Sequence, residues 1–199
     1  MNHIISPPHD CPLCPRLATY REENRQRNPA WHNAPVPGTG PEDATVMLLG
    51  MAPGLSGANR TGLPFTGDAS GAALETAMAA ADLDGAFITN ALLCAPPANK
   101  PTPEEVRTCR PHLEQQIAAL PRLKVIVALG EVAHRSAIKA CGGKLPKYRF
   151  AHGAIHALHT GYTVIDSYHP SPLNSATGRL QPGMLEAVLK TAAALRPKD

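Results

Sequence analysis

The chain has 199 residues, 43% hydrophobic and 18% charged, a globular rather than disordered composition, long enough to bury a core without disulfides. Nineteen Lys and Arg against sixteen Asp and Glu leave a net charge of +3, which permits nucleic-acid binding without demanding it. There is no apolar run of about 18 residues, and the opening MNHIISPPHDCPLCP lacks a signal peptide's apolar core, so one domain over residues 1–199, no membrane partner and a reducing, cytoplasmic setting are expected.

Residues 1–41 are polar and turn-rich, with a helix predicted over Leu17–Arg27. Thr45–Leu49 is a continuous apolar run ended by Gly50, and Ala86–Asn90, Val125–Leu129 and Thr163–Tyr168 repeat the pattern. Short apolar runs without alternation are those of strands buried on both faces, as in a parallel sheet. Helices are predicted between and after them. Ala69–Ala81 has Asp68 at its N-cap, and Pro103–Leu120 opens on a capping box at Thr102 with Pro at the first helical position. Glu131–Cys141 stops at Gly142-Gly143, and Pro182–Leu195 closes the chain. Ala154–Leu158 has room for a short extra strand. This alternation predicts an α/β fold, a three-layer αβα sandwich around a central, mostly parallel four-stranded sheet. The unusual polar or glycine-rich segments all follow strands: Gly50–Asp68, Asn90–Lys100, Gly130-Glu131 and His169–Arg179. In open α/β sheets that rim is where ligands bind.

Five cysteines in a reducing setting point to metal or redox work rather than disulfides. Cys11 and Cys14 form a C-x2-C pair, and Cys94 and Cys109 follow a strand and open a helix. Four thiolates suit zinc or a 4Fe–4S cluster. Zinc ribbons usually carry two such knuckles, and the single knuckle here leans towards iron–sulfur. Two core cysteines plus an accidental pair is the other reading. Cys141, at a helix end, is expected to be a small packed residue.

The first loop, Gly50–Gly71, is rich in glycines that let a backbone approach a ligand closely, yet it contains neither a Walker loop nor a dinucleotide fingerprint. Phe65, between Pro64 and a turn, suits a stacking platform for a planar base better than a core position. In the second loop His169 stands at the strand end, followed by two prolines that stiffen the turn. Leu173 and Asn174 are expected to project from it, Leu173 as a wedge that unstacks DNA, while Arg179 with Thr177 and Ser175 holds phosphates.

Four segments resemble one family. GMAPG…GANRTGLPFTGD, TNALLCAPPANKPTP, HPSPLN…TGRL and the cysteine spacing C-x2-C…C-x14-C are similar to motifs of the uracil-DNA glycosylase superfamily, in its iron–sulfur branch, family 5 or type B. The resemblance implies a monomeric DNA-repair enzyme. It would flip uracil, or other deaminated bases, out of DNA, hydrolyse the N-glycosidic bond and leave an abasic site. It implies catalytic roles for His169, donating to the uracil O2, for Asn90, reading the base edge, and for Asp68, stabilising the sugar cation or orienting water. Met51-Ala52-Pro53 supplies no polar water-holder, the type B pattern, which moves that duty towards Asp68. The base would be held between Phe65 and His169, over backbone at Gly50, Ala52, Pro53 and Gly54. Ser171, Leu173, Asn174 and Arg179 would meet the DNA, and Cys11, Cys14, Cys94 and Cys109 would bind a 4Fe–4S cluster. A non-catalytic nucleic-acid-binding module with a metal knuckle and a family 4-like enzyme restricted to uracil remain alternatives. A nucleotide hydrolase is disfavoured by the missing P-loop and acidic metal cluster.

Overall fold

The computed structural model describes residues 6–197, so the ends of the expected 1–199 unit lie outside the described residues. Its sheet contains β1 (Val46–Gly50), β2 (Phe87–Asn90), β3 (Val125–Leu129), β4 (Ile155–Ala157) and β5 (Thr163–Ser167), in the order β2-β1-β3-β5-β4. β2, β1, β3 and β5 run parallel, and β4 pairs antiparallel with β5. The sheet therefore has five strands, not four. The added strand is the short segment around Ala154–Leu158. Its Ile155 and Ala157 side chains are exposed at the sheet's edge, so it never needed the unbroken apolar run that marks its neighbours.

The helices are α1 (Pro15–Arg27), α2 (Ala58–Thr61), α3 (Ala69–Ala80), α4 (Pro103–Ala119), α5 (Glu131–Ala140), α6 (Pro172–Ala176) and α7 (Met184–Leu195). Successive strand residues point to opposite faces, and here both faces are covered. Val46, Leu48, Val125, Val127 and Ile165 pack against α3 and α7 through Leu74, Met78, Leu185 and Leu189. Met47, Leu49, Ile126, Ala128 and Val164 pack against α4 and α5 through Leu113, Ile117, Ala133 and Ile138. This double burial is the physical reason that the strand sequences show no polar alternation. The strands' carboxyl ends, together with the loops that leave them, form one rim.

The N-terminal segment docks on that rim. Leu17 of α1 packs with Leu92, Leu93 and Cys109. The following stretch is stitched down by His32 N–H to Arg60 O (3.1 Å), Asn33 N–H to Asn59 O (3.1 Å) and Val36 N–H to Leu93 O (2.7 Å). Arg16 forks onto Glu105 with two 2.7 Å bonds, joining α1 to the first turn of α4. Glu105 also closes the capping box with Thr102.

Candidate functional site: a cavity at the sheet rim

A cavity of about 440 Å³ opens at the carboxyl ends of β1, β2, β3 and β5. Phe65, Asp68, Asn90 and His169 all line it, together with Met51–Gly54 from the first loop. Gly130, Glu131 and Val132 bring the N-terminal end of α5 to its wall. Unpaired N–H groups at such a helix end favour negative charge nearby.

Glycines make the geometry possible. Gly50 ends β1, and a Cβ there would collide with the Asn90 Oδ1 and, at 2.6 Å, with the Phe65 ring. Gly50 therefore does not line the cavity; its bare Cα gives Asn90 and Phe65 their places. A side chain at Gly57 would strike the Asp68 carboxylate, and one at Gly54 would come within 3.1 Å of it. Phe65 has φ +53°, a left-handed backbone unusual for an aromatic residue. Such strain persists only where the surroundings impose it. The Phe65 and His169 rings have centroids 5.9 Å apart at 30°. A base slid flat between two rings needs about 7 Å, two carbon contact distances. The rings are thus neighbouring walls of one cavity, too close together to hold a base flat between them.

Asp68 caps α3: one carboxylate oxygen accepts the Gly71 N–H at 2.9 Å. Its second oxygen is the one nearest Gly54 and Gly57. One carboxylate serves the helix and the cavity together. Burial pushes the His169 imidazole below its ordinary value, and the negative charge of Asp68 opposes that shift. The balance favours a neutral ring, with one N–H to donate.

The second loop departs from expectation in detail. Its start is helical, as α6, and Ser171 is the N-cap, its hydroxyl accepting the Asn174 N–H at 3.3 Å. Ser171 still lines the cavity. Asn174 does not project: its amide donates to the His169 carbonyl at 2.8 Å, closing the loop on itself. Leu173 does project, at 71% exposure, on the outer side of α6. Arg179 lies over the Tyr168 ring, 4.5 Å from its centroid, so its guanidinium is prepositioned by a cation–π contact.

Cys11, Cys14, Cys94 and Cys109 line one small, apolar cavity between α1, α4 and the segment after β2. Burial pushes Cys94 up to about 11 and Cys109 up to about 12, and the other cysteines of the group add to both shifts. Ionising these thiols together is unfavourable unless a cation joins them. Arg21 supplies one positive charge: it is buried, and its guanidinium reaches the Cys94 Sγ at 3.9 Å while its Nε has no hydrogen-bond partner among the described residues. The donor set fits a four-thiolate centre. Cys141 lies elsewhere, buried in the core between α5 and the sheet.

A sequence profile described as "Uracil DNA glycosylase superfamily" matches residues 37–193. The chain belongs to the uracil DNA glycosylase superfamily. It is similar to the type-5 uracil-DNA glycosylase of Thermus thermophilus, 42% identical over 205 residues and 93% of each chain. The type-5 enzyme of Pyrobaculum aerophilum is 41% identical over 93% of this chain and 88% of its own. A type-4 uracil-DNA glycosylase of the same organism is 33% identical over 81% of this chain and 78% of its own.

Two features of this superfamily member escaped the reading of its sequence. Asn99 also lines the cavity, with φ +55° in the turn before Lys100. Its place in a Pro- and Asn-rich segment after β2 was the available signal. The second is a cluster of buried His134 and Asp166 with partly buried His156, three residues from three different elements and in no motif. Nothing in the spacing announces it.

Proposed function

We propose that this protein is a monofunctional uracil-DNA glycosylase of the type-5 kind, which everts a uracil from DNA and hydrolyses its bond to the sugar. The observation that carries the reading is the gathering of Phe65, Asn90, Asp68 and His169 around one cavity of ligand-pocket size. An everted base stacks on Phe65, and Asn90 reads its hydrogen-bonding edge. As the N1–C1′ bond breaks, its electron pair goes to the base, and negative charge grows on O2. The neutral His169 N–H donates there, and a preorganised donor of this kind contributes about 3–4 kcal/mol. The Asp68 carboxylate faces the sugar side, where it stabilises the oxocarbenium-like cation and orients water. Water adds to C1′ and gives its proton up by way of the Asp68 carboxylate, the departed uracil anion takes up one proton, and the products are an abasic site and free uracil. Backbone at Ala52, Pro53 and Gly54 closes the pocket, Ser171 borders it, Leu173 fills the gap in the duplex, and Arg179 meets the phosphates.

Cys11, Cys14, Cys94 and Cys109 would hold a 4Fe–4S cluster, whose contribution is structural: it ties α1 to the segment between β2 and α4. The whole chain, 1–199, then acts as one unit, expected to be a monomer.

The test is incubation with duplexes holding uracil or hypoxanthine, followed by alkali. Strand scission at uracil supports the reading, and scission at hypoxanthine extends it to other deaminated bases. Duplex binding with no scission selects the non-catalytic alternative. A brown protein absorbing near 400 nm, with iron and sulfide, supports the cluster; a colourless zinc protein removes it.

A further inference from the structure

Asp166, on β5, is fully buried, and the mechanism above does not use it. Its carboxylate has three partners: His134 Nδ1 at 2.7 Å on one oxygen, and His156 Nε2 at 2.8 Å and the Ala151 N–H at 3.2 Å on the other. Its backbone adds two bonds, Asp166 N–H to Ala154 O (2.9 Å) and Gly153 N–H to Asp166 O (2.8 Å). His134, on α5, reaches the same segment from the other side, its Nε2 lying 3.2 Å from the Tyr148 carbonyl. A carbonyl only accepts, so Nε2 must donate there. The proton in the 2.7 Å contact is then held between His134 Nδ1 and the carboxylate. Asp166 thus pins the strap of residues 144–154 to the sheet at three points, Ala151, Gly153 and Ala154, and His134 pins it at a fourth, Tyr148.

The strap leads back to the site. His152 Nδ1 accepts the Tyr168 N–H at 3.1 Å, and the two rings stack with centroids 5.0 Å apart at 25°. Arg179 covers the Tyr168 ring in turn, and Tyr168 directly precedes His169. We infer that Asp166, through His134, His156 and the strap, is a positioning residue for the DNA-gripping loop: it holds His152 against Tyr168, and that stack aims Arg179 and the α6 wedge at the duplex. The inference rests on the glycosylase reading, and it assigns Asp166 to the grip on DNA rather than to bond cleavage. The three ligand atoms lie within 4.8 Å, a spacing that a cation could also use. The contacts have hydrogen-bond lengths, and the inference assigns them a proton.

The experiment is single-turnover uracil excision from a duplex over a range of enzyme concentrations, which separates half-saturation from maximal rate. His152→Ala, which leaves the buried cluster intact, and Asp166→Asn, which turns one acceptor into a donor facing His N–H or Ala151 N–H, are compared with wild type. Both are expected to raise the half-saturating concentration about tenfold and leave the maximal rate within about threefold. His152→Gln keeps an acceptor for the Tyr168 N–H and is expected to recover much of the loss. A lowered maximal rate with unchanged half-saturation, or wild-type behaviour of His152→Ala, overturns the inference. So does one equivalent of zinc bound by the wild type and lost in Asp166→Asn. If wild-type protein releases no uracil, the glycosylase reading has failed instead. Amide exchange then decides the clamp by itself: the Ala151 N–H, whose acceptor is the Asp166 carboxylate, must lose protection in Asp166→Asn, and unchanged protection overturns it.

Discussion

The proposed mechanism needs a His169 that is neutral before departure and a good donor during it. Burial disfavours the imidazolium, so the ring binds its second proton only at a pH below the ordinary value of 6.5. The charge of Asp68 works the other way, favouring the imidazolium. Removing that charge should therefore lower the His169 midpoint further. An NMR titration of the His169 ring is expected to show a midpoint below 6.5 in wild type and a lower one in Asp68→Asn; an upward move would reverse the electrostatic assignment. Gly50 is the complementary case, a residue whose value is its missing side chain. Gly50→Ala drives a methyl into Asn90 and Phe65. A displacement of about 1 Å at a catalytic group can cost about 10²-fold in rate, so excision is expected to fall by that order while the fold melts only slightly earlier, as a calorimetric scan would show. His169 and Asn90 were legible because both stand where strands end. Asn99 was signalled only by its place in the segment after β2, because its part depends on a left-handed turn that no neighbouring residue dictates.

Asp68 is both a helix cap and a wall of the cavity, and substitution can separate the two duties. Serine caps helices about as well as aspartate, whereas alanine costs about 1 kcal/mol. Asp68→Ser is expected to keep the melting temperature and lose excision by at least about tenfold. Asp68→Ala is expected to lose both. Equal activity in Asp68→Ser and wild type would leave the residue only its cap. α6 makes a similar point: none of its five residues is buried, and it carries Leu173 out into solvent. Leu173→Ala is expected to weaken excision from duplex about tenfold at subsaturating enzyme, the cost of losing a wedge against restacking. The strands and longer helices were readable because two buried faces and marked caps leave plain signatures. β4 showed only as room for a short extra strand, left out of the sheet's count because an exposed edge strand has no apolar run, and α6 did not show, because a helix of five residues has no period.

At the scale of the whole molecule, two separate devices hold the loops around the cavity. On one side the Arg16–Glu105 pair and the packing of Leu17 on Leu92, Leu93 and Cys109 join α1 to α4 and the segment after β2, where the proposed four-thiolate centre would add a further tie. On the other, Asp166 and its histidines bind the strap to β5. Of the first, the cysteine pattern was visible. The second was invisible, since His134, His156 and Asp166 meet only once α5, β4 and β5 are assembled. The rim itself followed from topology: parallel strands put their carboxyl ends together, and the odd segments with them. Single-turnover release of free uracil from a uracil-containing duplex, by wild type and by His169→Ala, is the most direct measurement. The account requires one uracil per abasic site from wild type and a rate about 10²–10³-fold lower in the variant, the loss of one preorganised donor. Tight duplex binding without uracil release, or equal rates from the two proteins, would contradict it.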